Sequence, residues 1–264
     1  MGAMEFIYSL KDGRLLFGTA VLSLLLVLET WIPLLSGRTG RLRHGIRNVA
    51  MGLLNGVVTG VLFSTATLVV IDMAKKRGLG LLRWIVAPIW METLLALLLF
   101  DLWMYLWHRA NHGVPFLWRF HRMHHSDPMV DVTTALRFHL GELTFSSILR
   151  LGVVVLLGLG FRQLLLYEAA LLPIIRLHHS NVALPETWDR LLRGFIVTPN
   201  MHRVHHSDDP SETNSNYSSI FSFWDRLAKT FRLRNPLTLR YGLADIREAR
   251  WQTFKGMLAT PFKK

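Results

Sequence analysis

Long apolar runs constrain this chain more than any other feature. Leu15 to Leu35 is interrupted only by Glu29, Val49 to Ile71 carries no charge, and Leu81 to Trp107 carries only Arg83, Glu92 and Asp101. A helix needs about 20 apolar residues to cross a hydrocarbon core about 30 Å thick, and each run meets that length. One such run can be a buried core helix; three in succession point to membrane crossings. The third ends with Trp103, Tyr105 and Trp107, an aromatic cluster of the kind that sits at the membrane surface.

A polar, histidine-rich stretch follows from His108 to Glu142, and then a fourth apolar run, Leu143 to Leu177. As one helix that run would be roughly 50 Å long, too long for a single crossing. Gly158, Gly160 and Arg162 break it near the middle, so a helical hairpin over 143–177 that enters and leaves on one side is expected. The hairpin returns the polar segment after residue 177 to the face that carries His108–Glu142.

Lys and Arg outnumber Asp and Glu by 30 to 18, for a net charge of +12, while 51% of residues are hydrophobic. Charge placed between apolar runs fits a basic membrane protein better than a nucleic-acid binder, and no nucleic-acid partner is expected. Arg38, Arg41, Arg43 and Arg47 in the first loop, and the basic C-terminal segment, favour a cytoplasmic location for both. Lys75, Lys76 and Arg77 in the next loop argue against the simplest three-crossing arrangement. Glu5 and Lys11 ahead of the first run, with no small-residue cleavage pattern after it, do not read as a cleavable signal peptide. The absence of cysteine excludes disulfides, thiolate-bound zinc and iron–sulfur clusters.

Histidine carries the chemistry. Of 12 histidines only His44 lies outside 108–206. His108 and His112 are spaced i, i+4. His121, His124 and His125 form HxxHH, and His202, His205 and His206 repeat it; HRMHHSD and HRVHHSD differ at one position. Spacings of three and four put imidazoles on one helix face, where two on adjacent turns can grip one ion. Eight such ligands are too many for one ion and suit two. The nitrogen-rich shell does not choose among Fe, Zn, Cu and Ni, and the carboxylate di-iron pattern of helical bundles is absent. Ser-His-Asp and GxSxG arrangements are also absent.

Several segments, in order, resemble the fatty acid hydroxylase/sterol desaturase superfamily over about residues 97–232. They are LLFDLWMYLWHRANH, FLWRFHRMHHSD, VTTALRFHLGE, HHSNVALPE and TPNMHRVHHSDDPSETNSNYSSIFSFWDRLAKTF. The resemblance implies a membrane-embedded dinuclear metal oxygenase acting on lipid. It carries over as ligands His108, His112, His121, His124, His125, His202, His205 and His206, with His139 and His179 completing the set. Spacing alone does not separate His179 from His178. Asn181 is implied as a supporting residue. The chain departs from the family's Asn-Tyr-Gly at Asn216-Tyr217-Ser218, and from its Phe-Gly-Thr at Ala228-Lys229-Thr230. Asp127 and Asp208 either orient ligand imidazoles or end helices in Ser-Asp turns. Glu142 is either a supporting carboxylate or a surface group, and Asp101, two turns before His108, is a candidate support. Trp224–Leu227 is expected to anchor at the interface.

The expected fold is all-α: a multi-pass transmembrane helical bundle with a cytoplasmic, helical, histidine-rich metal-binding cap, in the inner membrane if the source is bacterial. Residues 1–96 form N-terminal transmembrane helices, 97–232 the catalytic region with its hairpin, and 233–264 a basic tail. The expected activity is O2-dependent hydroxylation or desaturation of a sterol, fatty acyl, sphingoid or ether lipid with two iron ions, zinc being possible in a purified form. With no GxGxxG fingerprint or fused haem segment in the chain, electrons come from a reductase, ferredoxin or cytochrome-type partner. The competing readings are a dinuclear zinc lipid hydrolase and a non-enzymatic metal-dependent membrane protein.

Overall fold

The computed structural model describes residues 3–263, with side chains at residue 13 and from residue 15 onward; Glu5 and Lys11 fall outside the described side chains. Eleven α-helices and six short 3-10 turns make up the described chain, with three isolated β-bridges and no strand. The long helices are α1 (Ala3–Trp31), α2 (Arg41–Lys76), α3 (Ile89–Gly113), α5 (Leu140–Leu157) and α6 (Phe161–His179). Short helices carry the polar segments: α4 (Pro115–His125), α7 (Glu186–Leu192), α8 (Pro199–His205), α9 (Pro210–Thr213), α10 (Phe223–Leu227) and α11 (Phe254–Ala259).

Three segments are long and apolar enough to cross a membrane: Arg41–Trp84, Ile89–Gly113 and Leu140–Leu157; the apolar part of α1, Leu15–Trp31, is shorter. Leu53, Val57, Val61 and Val69 of α2 are exposed, as lipid-facing positions are. The chain is an integral membrane protein. The apolar run 81–107 is not one helix. Leu81–Trp84 is a separate 3-10 turn, and α3 starts only after Pro88, whose ring disfavours helix in the residue before it. The first run likewise stops at Trp31; Pro33 leaves the helix and bridges to Val182.

The long apolar run 143–177 is broken into two helices, α5 and α6, joined by a turn at 158–160. Gly158 closes α5 in the left-handed region at φ 74, its N–H bonded to the Val154 and Val155 carbonyls. Gly80, at φ 121, passes directly over this turn. A Cβ on it would lie 2.1 Å from the Gly158 Cα. Around this crossing Leu82, Phe100, Val154, Leu157 and Tyr167 form the apolar core, with the Phe100 and Tyr167 rings edge-to-face at 4.8 Å. With α6 packed against α3 in this way, His179 at its C-terminal end reaches His124 of α4 and His202 of α8.

Proline places the two HxxHH helices. Pro115 sits in the first turn of α4 and holds Val114 extended, so the chain bends between α3 and α4 instead of continuing. Pro199 does the same for α8 after Thr198. The C-terminal segment is not a free tail. Met257 of α11 is fully buried against Met51 and Met123, which ties α11 to α2 and α4.

Candidate metal centre

Nine histidines converge in two contiguous groups. The first holds His108 and His112 from α3, His121 and His125 from α4, and His205 from α8; the second holds His124, His179, His202 and His206. Each HxxHH is divided between them. Residues four apart lie on one helix face, so His121 pairs with His125 (Nε2–Nε2 3.2 Å) and His202 with His206 (3.1 Å). The middle histidine of each box projects to the other side. His124 joins the second group and His205 the first, so the duplicated motif interlocks. The His125 and His206 rings stack across the junction at 4.7 Å.

The outer nitrogens show how the rings are held. Nδ1 of His108 donates to the Tyr217 carbonyl (2.8 Å), and Nδ1 of His205 to the Ser215 carbonyl (2.6 Å). His124 donates to the Arg137 carbonyl (3.3 Å) and His179 to the Ile175 carbonyl (2.6 Å). His112 faces the Asn214 amide oxygen (3.2 Å) and His121 the Glu142 carboxylate (2.8 Å). A carbonyl only accepts, so Nδ1 carries the proton in these rings and Nε2 presents a bare lone pair. Those lone pairs point at one another: His108 to His205 at 2.9 Å, and His124 to His179 at 3.1 Å. Neutral rings in this arrangement repel unless a cation lies between them. Ligand nitrogens about 2.1 Å from a shared metal stand about 3 Å apart, as these do.

Protonation is not the relief. Burial, reinforced by neighbouring imidazoles, holds His124, His125, His202 and His205 well below the usual histidine range. His206 is held down the same way, by burial first and then His179. The donor set therefore fits two metal ions bound by neutral imidazole.

The structure separates the sequence-derived candidates. Of the neighbours His178 and His179, His179 turns into the second group; His178 is buried against the His202 ring at 4.0 Å and belongs to neither group. His139 does not join either group. It caps α5, its Nδ1 accepting from the Gly141 N–H (3.0 Å), and its Nε2 faces the Leu258 carbonyl (3.2 Å). Glu142 is turned inward onto His121.

The other candidate supports touch no imidazole of either group. Asp101 accepts from Tyr167 Oη (2.7 Å), Trp224 Nε1 (3.0 Å) and the Ile220 and Phe221 N–H groups, pinning the 217–224 loop to α3. Trp224 is thus bonded inward through its Nε1, while Leu227 of the same helix is exposed. Asp127 accepts from the Met129 N–H, as in a Ser-Asp turn, and holds His44 at 2.8 Å. Burial would raise its pKa, yet His44 and Arg137 hold it well below the usual carboxylate range. Asp208 pairs with Arg247 and Arg240, and Asn181 exchanges two hydrogen bonds with the Leu35 backbone. The Met129 contact of Asp127 is the Ser-Asp turn read from the sequence, but the His44, Tyr167, Trp224 and Arg247 partners of these carboxylates lie far away in the chain and could not be assigned from spacing.

The loop that supplies the Ser215 and Tyr217 carbonyls is built by Asn216 and Asp225. Asn216, at φ 53, bonds the Met201 and Arg232 carbonyls, and buried Asp225 accepts from the Tyr217 and Ser218 N–H groups. The Asn-Tyr and Trp-Asp pairs of the sequence are therefore scaffolding for His108 and His205.

Comparison with known proteins agrees with this geometry. The fatty acid hydroxylase family model matches residues 93–230. Ornithine lipid hydroxylase OlsE of Rhizobium tropici is 34% identical over 149 residues, 56% of this chain and 44% of that protein. Alkylglycerol monooxygenase of Homo sapiens is 28% identical over 232 residues, 84% of this chain and 48% of that protein. Cholesterol 25-hydroxylase of Homo sapiens is 29% identical over 143 residues, 53% and 51% of the two chains. The chain thus spans about half the length of these relatives, and no solved structure gives a significant match. With the matched segment containing eight of the nine converging histidines' motif positions in three boxes and His179 between them, the chain belongs to the fatty acid hydroxylase family.

Proposed function

We propose that this protein is an oxidoreductase that hydroxylates a membrane lipid, using O2 and two iron ions held by the two histidine groups. The observation that carries the reading is the set of bare Nε2 lone pairs facing one another at about 3 Å while their Nδ1 protons are committed to fixed acceptors. His108, His112, His121, His125 and His205 would hold one ion, and His124, His179, His202 and His206 the other. When bound, the irons supply the activation of O2 and the oxidation of an unactivated C–H bond. The overall change is C–H plus O2, two electrons and two protons to C–OH plus water. The electrons come from a separate reductase, ferredoxin or cytochrome-type donor.

The chain's own residues do the positioning. Tyr217, Ser215, Arg137 and Ile175 carbonyls, with Glu142, fix ring orientation and keep Nε2 free to bind. The second group is fully buried, whereas His108 and His112 are half-buried, which makes the first group the accessible side. The related proteins are named for hydroxylation or monooxygenation of an ornithine lipid, an alkylglycerol and cholesterol, which favours hydroxylation over desaturation and an amphiphilic lipid as substrate. The basic segment Arg38–Arg47, which runs into the first turns of α2, packs beside the cap, and its excess of positive charge favours the cytoplasmic face for the cap.

The test is turnover by the purified full chain loaded with ferrous iron and given a reductant, O2 and membrane lipid. Oxygen uptake with a hydroxylated lipid product is expected, abolished in His124→Ala and His205→Ala together with loss of bound iron. Retained turnover in both variants overturns the site. Lipid cleavage without O2 by the zinc-loaded protein overturns the chemistry.

A further inference from the structure

Apart from the histidine groups, a cavity of about 530 Å³ opens beside the first turns of α2. Arg43 and Arg47 line it from α2, Arg137 from the segment before α5, and Arg250 from the C-terminal segment; no carboxylate lines it. Arg250 is paired with Glu248 at the rim, and Arg47 donates to the Gln252 carbonyl (2.9 Å). Arg43 has no hydrogen bond or ion pair among the described residues. Asp127 and Asp131, behind the wall, are engaged by His44 at 2.8 and 3.2 Å.

Arg137 is the telling residue. It is 1% exposed, and its guanidinium donates to the Met123 carbonyl, Ser126 Oγ and Gln252 Oε1, all neutral acceptors. Those bonds satisfy its N–H groups, and the carboxylate that acts on its charge, Asp127, is shared with His44. The first turn of α2 adds the positive end of a helix 36 residues long. Leu42, Ile46 and Leu53, exposed just beside and beyond, put the cavity at the boundary between apolar and polar surroundings, where lipid phosphates lie. Planar guanidinium forks match phosphate oxygens in charge and geometry.

We propose that this cavity is a phosphate-binding site at the membrane surface, taking the headgroup of an anionic phospholipid or free phosphate from solution. It is independent of the reading of the histidine groups, although Arg137 touches both: its carbonyl accepts from His124 Nδ1. An occupant would brace the segment that orients that ring.

The experiment measures equilibrium binding to the full chain in detergent, with three probes: short-chain phosphatidylglycerol, short-chain phosphatidylcholine and inorganic phosphate. The wild type is expected to bind phosphatidylglycerol well above phosphatidylcholine. The Arg43→Gln/Arg47→Gln pair, one exposed and one half-buried position, is expected to weaken it at least about tenfold, each lost charged hydrogen bond counting for about that much. Arg250→Glu, which sets a carboxylate at the rim, should do the same, and Lys75→Gln at the far end of α2 should change nothing. Competition by inorganic phosphate shows a site for phosphate from either source; binding of the lipid without competition shows a headgroup site. Equal binding of both lipids, no binding of any probe, or unchanged binding by the double variant and Arg250→Glu overturns the proposal.

Discussion

The deepest test of how this chain holds its histidines is a one-atom change at Asp101. The carboxylate is fully buried on α3 and serves four donors from two distant segments. Oδ1 takes Tyr167 Oη and the Ile220 N–H; Oδ2 takes the Phe221 N–H and Trp224 Nε1. Asp101→Asn keeps the shape and replaces one oxygen with a donor. The less costly orientation puts the amide nitrogen at Oδ1, where the Tyr167 hydroxyl can rotate to accept. The Ile220 N–H, at 3.3 Å the longest of the four, is then left unpaired. An orphaned buried donor costs about 1–3 kcal/mol, and turning the remaining bonds from charged to neutral acceptors adds about 1 kcal/mol. The sum is roughly 2–4 kcal/mol, or about 5–15 °C in unfolding midpoint for a chain of this size. Asp101→Ala orphans all four donors and should exceed it. Because the pinned loop delivers the Tyr217 carbonyl to His108, the Asn variant should also release metal from the first group before the second. Thermal unfolding in detergent and metal analysis after mild chelation read both effects. An Asn variant that melts with the wild type and keeps all its metal would refute the reasoning.

Four further outcomes follow from the same geometry. His179→Gln should remove metal from the second group while His139→Gln leaves the metal content unchanged, measured by elemental analysis; equal losses would return His139 to the ligand set. Glu142→Leu should weaken metal binding about 10- to 100-fold by freeing His121 Nδ1, with Glu142→Gln, which can still accept, much closer to the wild type. Lys229→Gly should stabilise the protein by up to about 1 kcal/mol, since Lys229 holds φ 59 and the left-handed region costs a side chain roughly 1–2 kcal/mol, part of it returned as glycine's greater unfolded entropy. For the metal-free protein, the depressed histidines bind protons in the unfolded chain but not in the folded one. Their contribution to stability should therefore be full above about pH 6.5 and be lost on acidification below it, in a melting series against pH; a flat profile from neutral to mildly acid pH would contradict it.

What the sequence discloses and what it conceals divide along a physical line. Apolar length and helical spacing are local, so the long helices, the break between α5 and α6 and the HxxHH boxes can be read directly. Pro88, Pro33 and Gly158 set boundaries by local stereochemistry, and the first two show why apolar content alone overruns a helix end. The spacing rule also implies that positions four apart share an ion. It does not say that His124 and His205 cross over, because that depends on α4 and α8 facing each other. The carboxylates mislead for the same reason. Asp101, Asp127 and Asp208 stand near histidines in sequence, yet their partners are Trp224, His44 and Arg247, brought in by the fold.

The acceptors for Nδ1 complete the argument. Most are backbone carbonyls, at residues 137, 175, 215 and 217, and any residue type supplies a carbonyl. No composition or motif can mark them. What can be marked is the residue that bends the backbone so that its carbonyl points inward. Asn216 does so from the left-handed region, and Asp225 clamps the N–H groups of Tyr217 and Ser218. The Asn-Tyr and Trp-Asp pairs therefore bear on metal binding although neither contributes a ligand. It follows that Asp225→Asn, far from either ion in sequence, should weaken the first group selectively. The second group, held through Arg137 and Ile175, should keep its affinity.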